Sequence, residues 1–196
     1  YIPVYTVADA LESLKLFEGH GYNKPIEIFE GITISFCDAG HLLGSASVHI
    51  TVNENGEERT ILFSGDLGNI DRPLIRNPQN PPYADYVVIE STYGDRVHGE
   101  RPDYIAQLTK IMQETFSKGG NLVIPSFAIG RTQELLYLFR TIKEQNLIKG
   151  HENFIVYVDS PLAVEATKIY QDNLMEYYDD ETLALVKQGI NPISFP

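Results

Sequence analysis

Apolar positions follow two different periods along this chain. Between residues 25 and 63 they recur at every second position. Ile32, Ile34 and Phe36 form one series, and Val48, Ile50 and Val52 alternate with Ser47, His49 and Thr51. Period two is the pattern of a strand with one covered face. It predicts strands over 25–29, 32–36, 47–52 and 59–63, with Glu30-Gly31 and Asn55-Gly56 as tight connections. From Pro102 the spacing becomes three and four. Ile105, Leu108, Ile111, Met112 and Phe116 mark one helix, with Pro102 in its first turn, and Leu135, Leu138, Phe139 and Ile142 mark another. The runs 122–124 and 154–158 between and after them read as strands. Ser160-Pro161 opens a further helix to about Leu174, and a shorter one is expected over 180–187.

Three remaining segments complete the pattern. Thr6 is a plausible N-cap for a helix whose apolar face is Ala8, Leu11, Leu14 and Leu16. Residues 71–82, rich in proline and asparagine, predict an irregular loop. The run Tyr86-Val87-Val88-Ile89 reads as a buried-type strand ending at Glu90. The β-α-β-α order after residue 102 predicts a parallel sheet with helical cover.

Composition narrows the class. A chain of 196 residues with 43% hydrophobic and 21% charged residues is that of an ordinary globular protein,. No apolar run approaches the ~20 residues that span a bilayer. The single Cys37 excludes an internal disulfide and fits a cytoplasmic location. A net charge of −12 argues against broad electrostatic binding of nucleic acid,. It leaves room for phosphate recognition through bound metals and a local group of arginines.

Two glycine-bearing loops carry the candidate chemistry. Gly40-His41-Leu42-Leu43-Gly44-Ser45 and Ser64-Gly65-Asp66-Leu67-Gly68 each follow a predicted strand and flank one hairpin. They can therefore present His41 and Asp66 at one end of a sheet, a pair suited to a hydrolytic metal centre. On chemistry alone two such residues do not make a site. A loop histidine satisfied by backbone groups, and an aspartate closing a turn beside Gly65, are the competing readings. Glu90 ends an apolar strand, where open α/β sheets present chemistry, and it could equally cap the segment that follows.

In order along the chain, Gly40-His41-Leu42-Leu43-Gly44-Ser45, Ser64-Gly65-Asp66 and Glu90-Ser91-Thr92-Tyr93-Gly94 resemble three motifs of the metallo-β-lactamase superfamily. More narrowly they resemble its β-CASP branch of nucleic-acid-processing nucleases. Pro125-Ser126-Phe127-Ala128-Ile129-Gly130-Arg131-Thr132-Gln133-Glu134 and Val158-Asp159-Ser160-Pro161-Leu162-Ala163 resemble the opening of the β-CASP domain itself. The wording is closest to the group containing the endonuclease subunit of the cleavage and polyadenylation factor and its prokaryotic relatives. The resemblance implies an α/β fold in two parts. The first, 1–98, is the C-terminal part of a metallo-β-lactamase αββα sandwich half. The second, 99–196, is the start of a parallel-sheet, Rossmann-like β-CASP domain. It implies His41 as a ligand to one metal, Asp66 as a carboxylate bridging two, and Glu90 as an acidic residue supporting a histidine general acid.

The function so implied is cleavage of RNA phosphodiester bonds by water activated between two divalent ions, zinc or else manganese. DNA is a less expected substrate, no membrane is involved, and a homodimer is compatible. The five histidines stand at 20, 41, 49, 98 and 151, so the family's H-x-H-x-D-H loop and its two late histidine motifs are missing. The expectation is a central slice of the enzyme that is inactive by itself. Further candidates are Asp38, which could orient His41 or end a turn, His98, which could approach the cleft, and Arg131. The last could receive phosphate at a helix start or pair with Glu134. Two rival readings are a metallo-β-lactamase-fold hydrolase of thioesters or lactones, and a non-catalytic scaffold in RNA processing.

Overall fold

The computed structural model describes residues 3–97, 99, 102–172 and 177–194. Strands β1 (Ile26–Phe29), β2 (Ile32–Asp38), β3 (Ala46–Glu54), β4 (Glu57–Phe63) and β5 (Tyr86–Val88) form one sheet in sequence order. The first three pairings are antiparallel and β4 pairs β5 in parallel. The β3–β4 hairpin closes through Asn55 (φ 53°) and Gly56 (φ 81°), the positive-φ pair that such a two-residue turn demands,.

Register decides where the strands deliver their loops. Phe36 faces Val48, Val48 faces Phe63, and Phe63 faces Val88. Strands β2, β4 and β5 therefore run the same way and end at one edge. His41, Asp66 and Glu90 follow those three ends. A parallel pair needs a long crossover, and the irregular stretch 71–82 lies within it.

The helical part comprises α2 (Tyr104–Ser117), α3 (Arg131–Glu144), α4 (Pro161–Asp172) and α5 (Asp180–Lys187). The Asp103 carboxylate accepts from Ala106 N–H at 2.9 Å, so Asp103 caps α2 and Pro102 lies outside it, just before the N-cap,. Ser160 Oγ accepts from Ala163 N–H at 3.2 Å at the start of α4. One core joins Leu136 and Tyr137 of α3 to Tyr170, Tyr178 and Ile193, and it takes in Leu74 and Ile75 from the crossover. An isolated bridge between Ile75 and Tyr178 fixes that crossover against the helices. Burying Leu74 alone contributes roughly 1.5–3 kcal/mol. A second core joins Met112 to Phe139, Ile142 and Ile148.

Several expectations change. Segments 122–124 and 154–158 are not in any ladder among the described residues, although Leu122, Ile124, Phe154, Val156 and Val158 pack on the cores. Their apolar alternation supplies one covered face, while a strand also requires a paired neighbour. Strand β5 forms but is not buried: Tyr86, Val87 and Val88 are 58%, 56% and 53% exposed. It is the sheet's edge, uncovered on both faces by the described elements. The first helix, α1 (Val7–Ser13), has its Thr6 cap, with Asp9 Oδ2 accepting from Thr6 N–H at 2.7 Å, and continues as a 3₁₀ turn over Leu14–Leu16. Its apolar face rests on nothing among the described residues: Leu11, Leu14 and Phe17 are exposed. No helix among the described residues is long and apolar enough to cross a membrane.

Candidate metal centre

The β2–β3 connection, residues 39–45, is a loop tied to itself and to both neighbours. Ser45 Oγ accepts from His41 N–H at 3.0 Å and Leu42 N–H at 3.1 Å, a serine doing for this turn what an N-cap does for a helix,. Asp38 Oδ1 accepts from Gly40 N–H at 2.8 Å. Tyr22 Oη donates to Ser45 O at 2.8 Å. With Ala39 N–H donating to Ser45 O and Ser45 N–H to Leu42 O, these bonds occupy most of the loop's backbone donors. His41's peptide has few alternative paths.

The loop after β4 leans directly on this one. Gly68 N–H donates to Ala39 O at 2.8 Å. A Cβ on Gly68 would lie 1.7 Å from Gly40 O and 2.7 Å from His41 N, so only glycine allows the approach,. Asp66 stands two residues before that contact, on the solvent side. The sequence placed His41 and Asp66 at one sheet end; the structure presses their loops together, backbone to backbone.

Glu90 joins from the end of β5. Its Oε1 accepts from Leu67 N–H at 2.6 Å and its Oε2 from Thr92 Oγ1 at 2.7 Å, while its own N–H donates to Ser64 Oγ at 3.0 Å. The hydroxyl of Thr92 and the amide of Leu67 hold the carboxyl below its ordinary range, with a smaller contribution from nearby His41,. Glu90 is an ionised group braced onto the Asp66 loop. Asp38 is buried, and desolvation pushes its carboxyl up against the opposing pull of Gly40 N–H and Arg76. It holds the backbone at Gly40, leaving the imidazole of His41 to other groups.

The far wall belongs to the helical part. Gly130, just before α3, sits so close to Leu42 that an added Cβ would meet Leu42 Cδ2 at 2.3 Å. Leu43 N–H donates to Tyr170 Oη at 3.4 Å. Arg72 Nε donates to Glu134 Oε1 at 2.9 Å, its Nη2 donates to the same oxygen, and its Nη1 donates to His41 O at 3.3 Å. Arg131 pairs with the other oxygen, Glu134 Oε2, at 3.2 Å and stays mostly exposed. Both readings of Arg131 thus meet in one place, since the paired guanidinium still faces solvent.

Sequence reasoning missed Arg72 and Tyr170. Arg72 lies in a loop whose composition says only that it is irregular, and Tyr170 sits among core positions of a helix. His49, on the more polar face of β3, is buried with Nε2 3.0 Å from Tyr83 O. His98 lies outside the described residues.

As a metal site the arrangement is partial. His41 and Asp66 offer one nitrogen and one carboxylate donor, a mixture suited to zinc or manganese. No group of three or more His, Cys, Asp or Glu side chains able to hold an ion occurs among the described residues. The donors fit half of a centre, and a complete one would need ligands beyond them.

Comparison with known proteins bears on the same residues. Residues 132–196 match the Beta-Casp domain model. The chain is 37% identical over 182 residues to "Ribonuclease TTHA0252" of Thermus thermophilus, covering 89% of this chain and 39% of that protein. It is 30% identical over 191 residues to an "RNase J-like protein" of Methanocaldococcus jannaschii, covering 96% and 43%. It is likewise 30% identical over 193 residues to "Endoribonuclease YSH1" of Yarrowia lipolytica, covering 98% and 22%. The chain spans less than half the length of these curated relatives.

Proposed function

Since the chain belongs to the β-CASP branch of the metallo-β-lactamase superfamily, we propose that it is the central part of a metal-dependent ribonuclease. In this reading residues 1–98 complete the sheet half of a metallo-β-lactamase domain. Residues 99–196 open a Rossmann-like β-CASP domain, whose segments 122–124 and 154–158 pack their apolar side chains on the helical cores. RNA lies in the groove between the two. The observation that carries the reading is the backbone contact between Gly68 and the 39–41 turn, which holds His41 and Asp66 in neighbouring loops.

His41 and Asp66 would hold divalent ions, zinc or manganese, with Asp66 the better bridge because an anionic oxygen can serve two cations. When bound, such ions acidify water and stabilise charge at a phosphodiester under in-line attack. The chain's own residues supply position. Ser45 fixes the N–H of His41, Asp38 that of Gly40 before it, Glu90 that of Leu67 after Asp66, and Arg131 offers a guanidinium to a phosphate,. The ionised Glu90 is also placed to accept from a histidine acid brought by the rest of the polypeptide.

The test uses the full-length parent, purified with its metal content measured, and labelled RNA, DNA and a thioester as substrates. RNA cleavage that Asp66→Asn abolishes together with half or more of the bound metal supports the reading. Full metal content and activity in that variant would refute the role of Asp66. Thioester turnover without RNA cleavage would overturn the substrate class.

A further inference from the structure

Glu134 is buried, yet it meets two arginines with very different surroundings. Arg72 has a side chain only 22% exposed, wedged between α3 and the 39–45 loop, whereas Arg131 is 57% exposed. Each arginine takes its own carboxylate oxygen: Arg72 binds Oε1 and Arg131 binds Oε2. Only Arg72 continues onward, from Nη1 to the backbone oxygen of His41 at 3.3 Å. A guanidinium suits this use because its planar fork can grip a carboxylate with one edge and donate elsewhere with another.

We propose that Glu134 divides two tasks between its oxygens. Oε1 orients Arg72 as a positioning residue for the His41 loop, and Oε2 holds Arg131 over the groove, where a substrate phosphate takes it. The proposal rests on the ribonuclease reading for its substrate and on geometry alone for the clamp. The asymmetry of burial gives it direction. The Arg72 pair has little access to water and holds in any state, while the Arg131 pair is solvated and weak enough to exchange. When a phosphate draws Arg131 away, Glu134 keeps its charge for Arg72. Engagement of substrate on the helical side then tightens the clamp under His41, and each half of the site senses the other through one carboxylate.

The two tasks separate by experiment. In the full-length parent, three quantities would be read for Arg72→Lys, Arg131→Gln and Glu134→Gln. They are amide exchange at His41 and Leu42 in metal-stripped protein, zinc affinity by competition with a chromogenic chelator, and kcat and KM on a labelled single-stranded RNA. Lysine keeps the charge facing Glu134 but has no second edge for the His41 carbonyl, so Arg72→Lys stays folded and reports positioning. It should speed exchange at both amides, weaken zinc affinity about tenfold and lower kcat with KM unchanged. Arg131→Gln should raise KM several-fold and, by leaving Glu134 to Arg72 alone, slow exchange at both amides without weakening zinc affinity. Glu134→Gln should raise KM, speed exchange and weaken zinc affinity together. Wild-type exchange and zinc affinity in Arg72→Lys would overturn the clamp, and so would identical profiles for the two arginine variants. A parent that neither binds zinc nor cleaves RNA sinks the ribonuclease reading instead, and the exchange arm still decides the clamp.

Discussion

Gly68→Ala is the most exacting test of how the candidate centre is built. The φ angle at Gly68 lies outside the left-handed region, so alanine meets no backbone penalty there. The obstacle is purely the space between two loops. The added methyl would sit 1.7 Å from Gly40 O, 2.1 Å from Gly40 C and 2.7 Å from His41 N. All three are backbone atoms, and none can swing aside as a side-chain end would. An ordinary carbon–oxygen approach is about 3.3 Å. The loops must therefore part by roughly 1.6 Å.

That movement has two costs. Forcing a methyl into a packed contact costs about 1–3 kcal/mol. Separation also stretches the 2.8 Å bond from Gly68 N–H to Ala39 O, worth about 1 kcal/mol,. Together these give about 2–4 kcal/mol, or a Tm lower by about 5–15 °C for a chain of this size. Gly19→Ala is the control, since nothing lies within 4 Å of the place its new methyl would take; it should leave Tm unchanged. Calorimetry on the two variants gives the stability, and zinc competition on the full-length parent gives the effect on the site. A shift above 1 Å between two ligand loops should cost about 100-fold in turnover. A Gly68→Ala protein melting within 1 °C of Gly19→Ala would refute the claim that the loops are in backbone contact.

Other outcomes follow from the same geometry. Asp38 has its carboxyl raised by burial, so its protonated form is favoured in the folded state; the stability it contributes is present below its unfolded value of 3.8 and lost as pH rises through the folded one,. Asp38→Asn keeps an acceptor for Gly40 N–H without the buried charge, so it should be more stable than wild type at pH 7, with the gap closing below about pH 4 in urea titrations. Gln133 is fully buried, accepting from Gly130 N–H at 2.7 Å and donating to Ala128 O at 3.1 Å and Thr167 Oγ1 at 2.9 Å. Gln133→Leu should cost roughly 2–3 kcal/mol by stranding those groups, read as a lower urea midpoint; an unchanged midpoint would contradict the burial. Glu90→Ala should speed amide exchange at Leu67 by about tenfold, as befits loss of a charge-assisted bond of about 1.5 kcal/mol.

The sheet and the approach of the loops that carry His41 and Asp66 were legible because short-range rules govern both. Asn55-Gly56 fixes the turn, the turn fixes the register, and the register sends both loops to one edge. The helices were legible for the same reason, from their three-and-four spacing. Burial was not legible wherever it depends on a neighbour. Val87 and Val88 carry the composition of a core strand and are exposed, because hydrophobicity states a demand for cover without saying what provides it. Leu74 and Ile75 show the reverse. They sit in a stretch that reads as loop, yet they are buried through Tyr178, which lies a hundred residues on. No local pattern encodes such a contact.

Arg72 shows why the site itself was only half readable. Its neighbours in sequence are Asp71 and Pro73, and its neighbours in space are Glu134 and the carbonyl of His41. The motifs exposed the residues that point toward solvent, since those are constrained by chemistry at the surface of the loop. The group beneath the loop is constrained by a partner on a helix that begins almost sixty residues later. Yet the same partner bonds Arg131, which the motifs did expose. The visible half of the site and the hidden half therefore meet at Glu134. The His41 loop is held from the sheet by Asp38, from the Asp66 loop by Gly68, and from the helices by Tyr170 and Arg72. A loop braced from three sides cannot adjust its histidine without moving one of them, and on the helical side the exposed Arg131 shares Glu134 with the buried clamp of Arg72. In the proposed clamp, a bound polyanion acts on this site through that shared carboxylate.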